Sequence, residues 1–325
     1  AGSKTVYQYL KLFVKKGFQV KFIGDNFYRQ EPYASKLEQM GIEVLYGGYY
    51  QSHIFQWLDR NHQEIDFVFL NRPHISIKYN DYFYNKTNVN IIYYGHDLHY
   101  LRNLREYRLT KDAAKLREAK AWKKKEMYLL EKANVSYYPS SVEIEEIHKL
   151  NANIRVKAVT AYAFDSWLKD LEMDFSKREG ILFVGGFVHE PNIDAVRWFV
   201  KEIYPKIRGK CQMPFYIVGS NATKEIVQLD GRNGICVKGY LTEEELHKLY
   251  QSCRIAVVPL RYGAGVKGKV VEAVYQGVPV VTTSVGAEGI LQAEEVMKIK
   301  DQPQAFVDEV LRLYNDCKGL EKMAE

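Results

Sequence analysis

The sequence predicts an α/β protein with two doubly wound domains, each built on a parallel sheet that has helices on both faces. The chain has 325 residues, which is more than a single hydrophobic core usually holds. Short apolar strands alternate with amphipathic helical segments, and this alternation is typical of a parallel sheet with crossover helices. An extended stretch at 154–163 breaks the alternation once, after which it restarts.

In the N-terminal half, predicted strands alternate with predicted helices. The predicted helices lie near 4–16, 32–40, 52–61, 112–133 and 141–150. The predicted strands, which are β-branched or aromatic runs, are 19–23, 43–46, 67–70, 90–94 and 135–138. Gly2 and Ser3 resemble a turn between a strand and a helix, although no strand precedes them. We therefore expect the first strand of this sheet to be missing from the sequence.

The C-terminal half contains more strongly apolar strands, at 180–186, 215–220, 234–240, 255–260 and 278–283. Near-continuous apolar strands indicate a sheet that is buried on both faces. The expected domains are 1–155 and 179–325, joined by a linker at 156–178. The last helical pattern stops at the C-terminus, as though a terminal crossover helix were truncated.

Composition and charge limit the possible partners. The net charge is +6, and 102–132 holds eleven Lys or Arg against five Asp or Glu. Such a stretch is either a solvated helix face or a contact for an anionic membrane. No nucleic-acid motif is present, and no apolar run is long enough to span a membrane. Because the four cysteines are scattered, we expect reduced thiols and a cytoplasmic protein, with peripheral contact at the inner membrane face.

The segment 263–269 matches two phosphate-binding patterns at once. It contains G-x-G-x-x-G, and it is also G-x-x-x-x-G-K. The P-loop interpretation fails because Val270 stands where a magnesium-binding Ser or Thr is required. A dinucleotide turn fits locally, but it normally opens its domain, whereas this loop follows the fourth strand. An NAD-dependent oxidoreductase therefore remains as an alternative.

The cations around this loop favour another interpretation. Arg261, Lys267 and Lys269 surround the glycines, and Glu272 lies one helical turn beyond Lys269. Residues three apart share a helix face. A cation and a carboxylate on one face suit a diphosphate that is joined to a ribose.

Several longer segments carry a resemblance to a known family. They are "PLRYGAGVKGKVVEAVYQGVPVVTTSVGAEGI" (259–290), "LFVGGFVHEPNIDAVRWFVKEIYPKI" (182–207), "FYIVGSNA" (215–222) and "IIYYGHDLHYLR" (91–102). The chain resembles retaining nucleotide-sugar glycosyltransferases of the family 4 type, in particular those that build bacterial surface glycans. The resemblance implies the GT-B architecture, in which two Rossmann-like domains face a cleft.

Two departures from the family pattern matter. The family often carries two glutamates before its "G-x-P-V-V" strand; Glu272 matches the second, but the first falls on Ala264. An arginine that many members carry after the first donor-domain strand is replaced by Gly186. We therefore expect the cations of the 261–269 loop to take over the phosphate charge.

The resemblance implies a site with several parts. The expected catalytic groups are Lys269 and His96. The expected diphosphate ligands are Arg261, Gly263, Gly265, Lys267, Lys269 and Gly2. Ribose or sugar hydroxyls are assigned to Glu272 and Glu288. The nucleobase side is assigned to Gly219, Ser220, Gly239 and Tyr240. Asn192 is expected to cap a helix.

The expected reaction moves a sugar from a nucleotide-diphosphate donor to a glycan, lipid-linked or protein acceptor. Because the sequence has no Asp-x-Asp, we expect a metal-independent enzyme without a cofactor. Stereochemical retention rests on the resemblance alone. A catalytically inactive domain that binds nucleotide sugars is the second alternative.

Overall fold

The chain forms two compact units. The computed structural model describes residues 2–162, 164, 166–168 and 171–325. The first unit comprises 1–98 and 121–163, and the second comprises 99–120 and 164–325. Residues 99–120 thus belong with the second unit, whereas the sequence analysis assigned them to the N-terminal domain. Residues 163, 165, 169 and 170 of the expected linker lie outside the described residues.

The first half of the chain alternates strands and helices, but the helices at Pro73–Lys86 and His99–Thr110 were not predicted, and the strand Val156–Ala158 lies in the expected linker. The strands are β1 (Lys21–Ile23), β2 (Glu43–Leu45), β3 (Phe67–Asn71), β4 (Asn90–Tyr94), β5 (Val135–Tyr138) and β6 (Val156–Ala158). The helices are α1 (Gly2–Lys15), α2 (Tyr33–Gln39), α3 (Gly48–Asn61), α4 (Pro73–Lys86), α5 (His99–Thr110), α6 (Ala113–Lys132) and α7 (Ser141–Leu150), with a 3₁₀ turn at His62–Glu64.

The strands of the first unit form two separate parallel sheets. Strands β1 and β2 pair over three residues each, from Lys21 opposite Glu43 to Ile23 opposite Leu45. The other sheet has the order β3-β4-β5-β6. Parallel strands need crossover connections, and the helices between the strands provide them. Helix α5 belongs to the second unit, and α6 begins in the second unit and ends in the first.

The second unit contains the remaining elements. Its strands are β7 (Ile181–Val184), β8 (Phe215–Val218), β9 (Ile235–Gly239), β10 (Ile255–Val258), β11 (Val280–Thr282) and β12 (Met297–Ile299). Its helices are α8 (Glu190–Trp198), α9 (Tyr204–Arg208), α10 (Lys224–Val227), α11 (Glu243–Ser252), α12 (Gly268–Tyr275), α13 (Ser284–Ala287), α14 (Ala293–Val296), α15 (Pro303–Tyr314) and α16 (Cys317–Ala324). A 3₁₀ turn lies at Phe175–Lys177, and a π-helical turn joins α8 to α9 at Phe199–Ile203.

The sheet of the second unit has the order β12-β11-β10-β7-β8-β9, and its strands pair in parallel. Read from β9, this is the doubly wound order 3-2-1-4-5-6. All four residues of β10 are buried, as the apolar run at 255–260 predicts. The order reverses between β7 and β10, and ligands of such sheets bind beyond the carboxyl ends of the strands at this switch point.

Among the described residues, no helix combines the length and the apolar character needed to cross a membrane.

Candidate functional site

The glycine-rich loop lies at the switch point of the second unit. It connects β10 to α12, and Lys267 is the N-cap of that helix. Gly265 has a φ of +71° and Gly263 has a φ of +154°. Residues other than glycine rarely adopt these backbone conformations. The first turn of a helix has N–H groups without intrahelical partners, and together with the helix dipole they attract anions. The loop and the start of α12 can therefore receive a phosphate.

Lys269 lies in the first turn of α12, and its ammonium group is enclosed by the second unit. The Nζ atom donates a hydrogen bond to Oδ1 of Asn192, and it lies 4.7 Å from the ring centroid of Phe183. Desolvation, with repulsion from Lys267 as a second cause, lowers the pKa of Lys269 to about 7. An anion bound here would favour the charged form and raise this pKa.

Asn192 holds this lysine instead of capping a helix. The expectation of a cap was wrong, because the N-cap of α8 is His189. Asn192 is only 6% exposed, and its Nδ2 donates to the carbonyl oxygen of Gly186 at 2.7 Å. A Cβ atom on Gly185 would lie 2.8 Å from Nζ of Lys269. Gly185, directly after β7, therefore leaves the space that the ammonium group occupies.

Lys267 is a second buried cation of the loop. The residue is 9% exposed, and its Nζ donates a hydrogen bond to the carbonyl oxygen of Gly265. The same Nζ lies 4.0 Å from Oε1 of Glu288, which is beyond hydrogen-bond distance. Glu288 follows α13 and is also buried, with 9% of its side chain exposed.

Arg105 is a member of this site that the sequence analysis did not identify. Its Nη1 donates to the carbonyl oxygen of Gly263 at 2.6 Å and lies 2.7 Å from Oε2 of Glu288. Arg105 comes from α5, far from the glycine loop in sequence. The only sequence signal was its place in the basic stretch 102–132, which we interpreted as a solvated face or a membrane contact.

Arg261 has a different environment from the one expected. Its Nε donates to Oδ2 of Asp194 at 2.9 Å, and its Nη2 pairs with Oδ1 of the same carboxylate. The Asp194 side chain is only 10% exposed. The guanidinium is thus engaged by a carboxylate of α8, and its assignment to the diphosphate stays a prediction.

The residues expected on the nucleobase side follow β8 and β9. The Gly219 N–H donates to the carbonyl oxygen of Gly239 at 2.8 Å, and the Phe187 N–H donates to the carbonyl oxygen of Ser220 at 2.9 Å. Tyr240 is 72% exposed. Glu272 lies on α12, one turn beyond Lys269, and is partly buried. The structure gathers these residues at the carboxyl edge of one sheet, and their individual roles stay predictions.

Gly2 and His96 are neighbours in the first unit. Gly2 begins α1, and a Cβ atom on it would lie 2.9 Å from Nη2 of Arg72 and 3.4 Å from the His96 ring. His96 follows β4, and its ring centroid is 4.7 Å from that of Tyr94. Arg72 has φ of +64°, which is uncommon for a residue other than glycine and recurs at functional positions.

Among the residues that the structure describes, no group of three or more His, Cys, Asp and Glu side chains is arranged to hold a metal ion. The expectation of metal independence stays a prediction.

The second unit has the features of a nucleotide-binding α/β domain: a doubly wound sheet, a glycine loop at its switch point, and two lysines at a helix start, one buried and one partly buried. Comparison with known proteins agrees with this class. Residues 178–316 match the model of the family described as "Glycosyl transferases group 1". The matched residues include Lys269 and Glu288.

Similar proteins support the same architecture. An uncharacterized 44.6 kDa protein in the cps region of Klebsiella pneumoniae is 26% identical over 152 residues, which are 44% of this chain and 39% of that protein. Sucrose-phosphate synthase from Thermosynechococcus elongatus has a TM-score of 0.72 at 14% identity, with 98% of this chain and 86% of that chain covered. Anabaena Alr3699/HepE in complex with UDP-glucose has a TM-score of 0.66 at 13% identity, with 100% and 89% covered.

These likenesses confirm the predicted fold class, two Rossmann-like α/β domains of the kind found in GT-B glycosyltransferases. The chain spans well under half the length of the Klebsiella pneumoniae relative that it matches.

Proposed function

We propose that this protein is a glycosyltransferase that moves a sugar from a nucleotide-diphosphate sugar to a glycan or lipid-linked acceptor. One observation carries the proposal. Lys267 is buried and Lys269 is partly buried beside a glycine loop, at the switch point of a domain that matches the glycosyl transferases group 1 family. An anionic ligand would stabilise the charged form of Lys269, which desolvation disfavours.

The chemistry of sugar transfer fits this arrangement. Negative charge grows on the diphosphate as the bond to the anomeric carbon breaks, and preorganised cations and N–H donors stabilise it. We assign the diphosphate to Lys269 and Lys267 with the backbone of Gly263 and Gly265. Cations in this position can stabilise the negative charge on the diphosphate, as a metal ion does in other enzymes. This supports a metal-independent reaction.

The remaining roles follow from position. Glu272 accepts hydrogen bonds from the ribose hydroxyls, and Glu288 accepts them from the donor sugar. The nucleobase is contacted by Gly219, Ser220, Gly239 and Tyr240. We assign Gly2 to the donor diphosphate and His96 to the acceptor or sugar. Retention, hexosyl transfer and a role in surface-polysaccharide or glycoconjugate synthesis are proposed from the sequence resemblance.

Transfer assays with a panel of nucleotide sugars test this proposal. We expect one donor to be turned over, and Lys269→Ala to lower the rate by roughly 100-fold or more, the scale for loss of one electrostatic stabiliser. Lys248→Ala is the matched control, because that lysine on α11 is 71% exposed and pairs with Glu244 on its own helix. An unchanged rate in Lys269→Ala would assign the chemistry to another cation.

The same panel separates the alternatives. Tight binding of NAD with no response to nucleoside diphosphates would replace the proposal by an oxidoreductase. A donor that binds and is never hydrolysed or transferred would instead indicate an inactive nucleotide-sugar-binding domain.

We also propose peripheral contact with an anionic membrane at the cytoplasmic face, through the basic stretch 102–132. Its support is the surface of α6, where Arg117, Lys120, Lys123, Lys124 and Lys125 are exposed. Each basic residue near an anionic surface contributes about 1 kcal/mol. We expect sedimentation with phosphatidylserine vesicles at low salt and none with phosphatidylcholine vesicles. Failure to bind anionic vesicles at low salt would remove this part of the proposal.

A further inference from the structure

We propose that Arg105 is a positioning residue of the donor site: it fixes the glycine loop and orients Glu288 toward the donor sugar. This inference rests on the proposed function. Arg105 lies outside residues 178–316, the segment that matches the glycosyl transferases group 1 family, so the family match does not include it. It is contributed by α5, which is grouped with the second unit.

The contacts of Arg105 connect two separate parts of the site. Its Nη1 atom carries two hydrogens, and it lies 2.6 Å from the carbonyl oxygen of Gly263 and 2.7 Å from Oε2 of Glu288. Gly263 belongs to the loop before α12, whereas Glu288 belongs to the turn after α13. One guanidinium therefore holds the loop and the carboxylate at a fixed separation.

The burial of these groups strengthens their contacts. The side chain of Arg105 is 22% exposed and that of Glu288 is 9% exposed. Hydrogen bonds and ion pairs at such positions are weakly screened by solvent, so removal of one partner leaves the other desolvated and unsatisfied. Arg105 therefore influences the geometry of the loop even though it need not touch the donor.

The two oxygens of Glu288 have different environments. Oε2 pairs with Arg105, whereas Oε1 is buried and has no hydrogen-bond partner among the described residues. Oε1 lies 4.0 Å from Nζ of Lys267. A hydroxyl group can donate to a carboxylate and accept from an ammonium group at the same time. The ligand group that suits this position is a sugar hydroxyl, and Arg105 directs Oε1 toward it by holding Oε2.

This arrangement predicts which ligands depend on Arg105. A nucleotide sugar has both the diphosphate at the loop and the hydroxyl at Glu288. A nucleoside monophosphate has neither the second phosphate nor the sugar. Loss of Arg105 therefore weakens binding of the nucleotide sugar more than binding of the monophosphate. Damage to the fold would weaken the binding of both ligands to a similar extent.

The experiment compares Arg105→Ala, Arg105→Lys and Arg232→Ala in the full chain. Arg232 is an exposed cation of the same unit, placed before β9 at the opposite edge of the sheet. Calorimetry gives the Kd of the preferred nucleotide sugar and of its nucleoside monophosphate. We expect Arg105→Ala to raise the first Kd on the order of 10- to 100-fold, as for lost hydrogen bonds to charged groups. Arg105→Lys should recover part of the loss, since it keeps the charge without the planar guanidinium.

A double-mutant cycle checks the route through Glu288. Once Glu288→Gln is made, Arg105→Ala should have a smaller additional effect on nucleotide-sugar binding, because coupled residues are not additive. Fully additive effects would overturn the role of Arg105 in orienting Glu288. Equal weakening of both ligands in Arg105→Ala would show that the residue supports the fold and does not position the donor site.

A measurement without ligand separates this inference from the proposed function. Hydrogen exchange of the 261–268 amides should be faster in Arg105→Ala than in the parent protein and in Arg232→Ala. If the parent protein binds no nucleotide sugar, the proposed function fails, and this readout still reports on the loop. If the parent protein binds its donor and neither loop exchange nor donor affinity changes in Arg105→Ala, the inference alone is overturned.

Discussion

The lowered pKa of Lys269 makes donor binding depend on pH in a defined direction. Burial and Lys267 lower this pKa to about 7, so the ammonium loses its proton as the pH rises through that value in the donor-free protein. A bound diphosphate favours the charged form. Donor binding above pH 7 must therefore take up a proton, and affinity falls as the pH increases.

The magnitude follows from the charged fraction. That fraction falls from about one half at pH 7 to about one hundredth at pH 9, so the donor Kd rises roughly 50-fold between the two. At pH 8 about 0.9 proton is taken up per donor bound. A nucleotide sugar is the correct ligand, because its diphosphate is esterified at both ends and has no proton to lose in this range.

Titration calorimetry in buffers of different ionisation enthalpy measures both quantities. Lys269→Met is the control: it should bind weakly at every pH, with a flat Kd and no proton uptake from this site. A flat Kd in the parent protein would refute the assignment of the charged ammonium to the diphosphate. The same slope in Lys269→Met would show that another group titrates.

Two further predictions concern stability, and equilibrium unfolding in urea measures both. A Cβ atom on Gly219 would lie 2.0 Å from the carbonyl oxygen of Gly185, whereas the nearest atom to a Cβ on Gly186 is 3.7 Å away. Gly219→Ala should therefore lower the free energy of unfolding by roughly 1–3 kcal/mol or more, and Gly186→Ala should change it little. Similar values for the two variants would contradict this difference in available space. Arg261→Ala leaves the 10% exposed carboxylate of Asp194 unpaired and should cost about 1–3 kcal/mol. Arg197→Ala breaks an ion pair with Glu225 in which both side chains are about half exposed, and it should lower the free energy of unfolding by less than about 1 kcal/mol. Equal losses in Arg261→Ala and Arg197→Ala would show that burial does not determine the strength of these pairs.

The strands were predictable because burial on both faces imposes apolar runs. The strand predicted at 255–260 is observed as β10 (Ile255–Val258), and the strand predicted at 215–220 is observed as β8 (Phe215–Val218). Helix α4 was missed, since its buried face includes Ser76 and Asn80, and polar residues there interrupt the apolar stripe that indicates a helix.

The site was predictable only where its residues are close in sequence. Lys267, Lys269 and Glu272 lie within two turns of chain, so spacing alone indicated a shared location. Arg105 and Glu288 meet through the fold, and no local pattern joins them. Asn192 was misassigned because residue type favours a cap, whereas its actual partner, Lys269, is remote in sequence.

The divided sheet of the first unit has a consequence for the order in which the protein opens. Strands β1 and β2 share a ladder of three residues, whereas β3 and β4 pair over five and continue through β5 to β6. A short two-stranded ladder has little stability of its own. We therefore expect the amides of β1 and β2 to exchange with solvent at a lower free energy than those of the four-stranded sheet. We also expect a protease to cleave at this smaller ladder before it cleaves the four-stranded sheet.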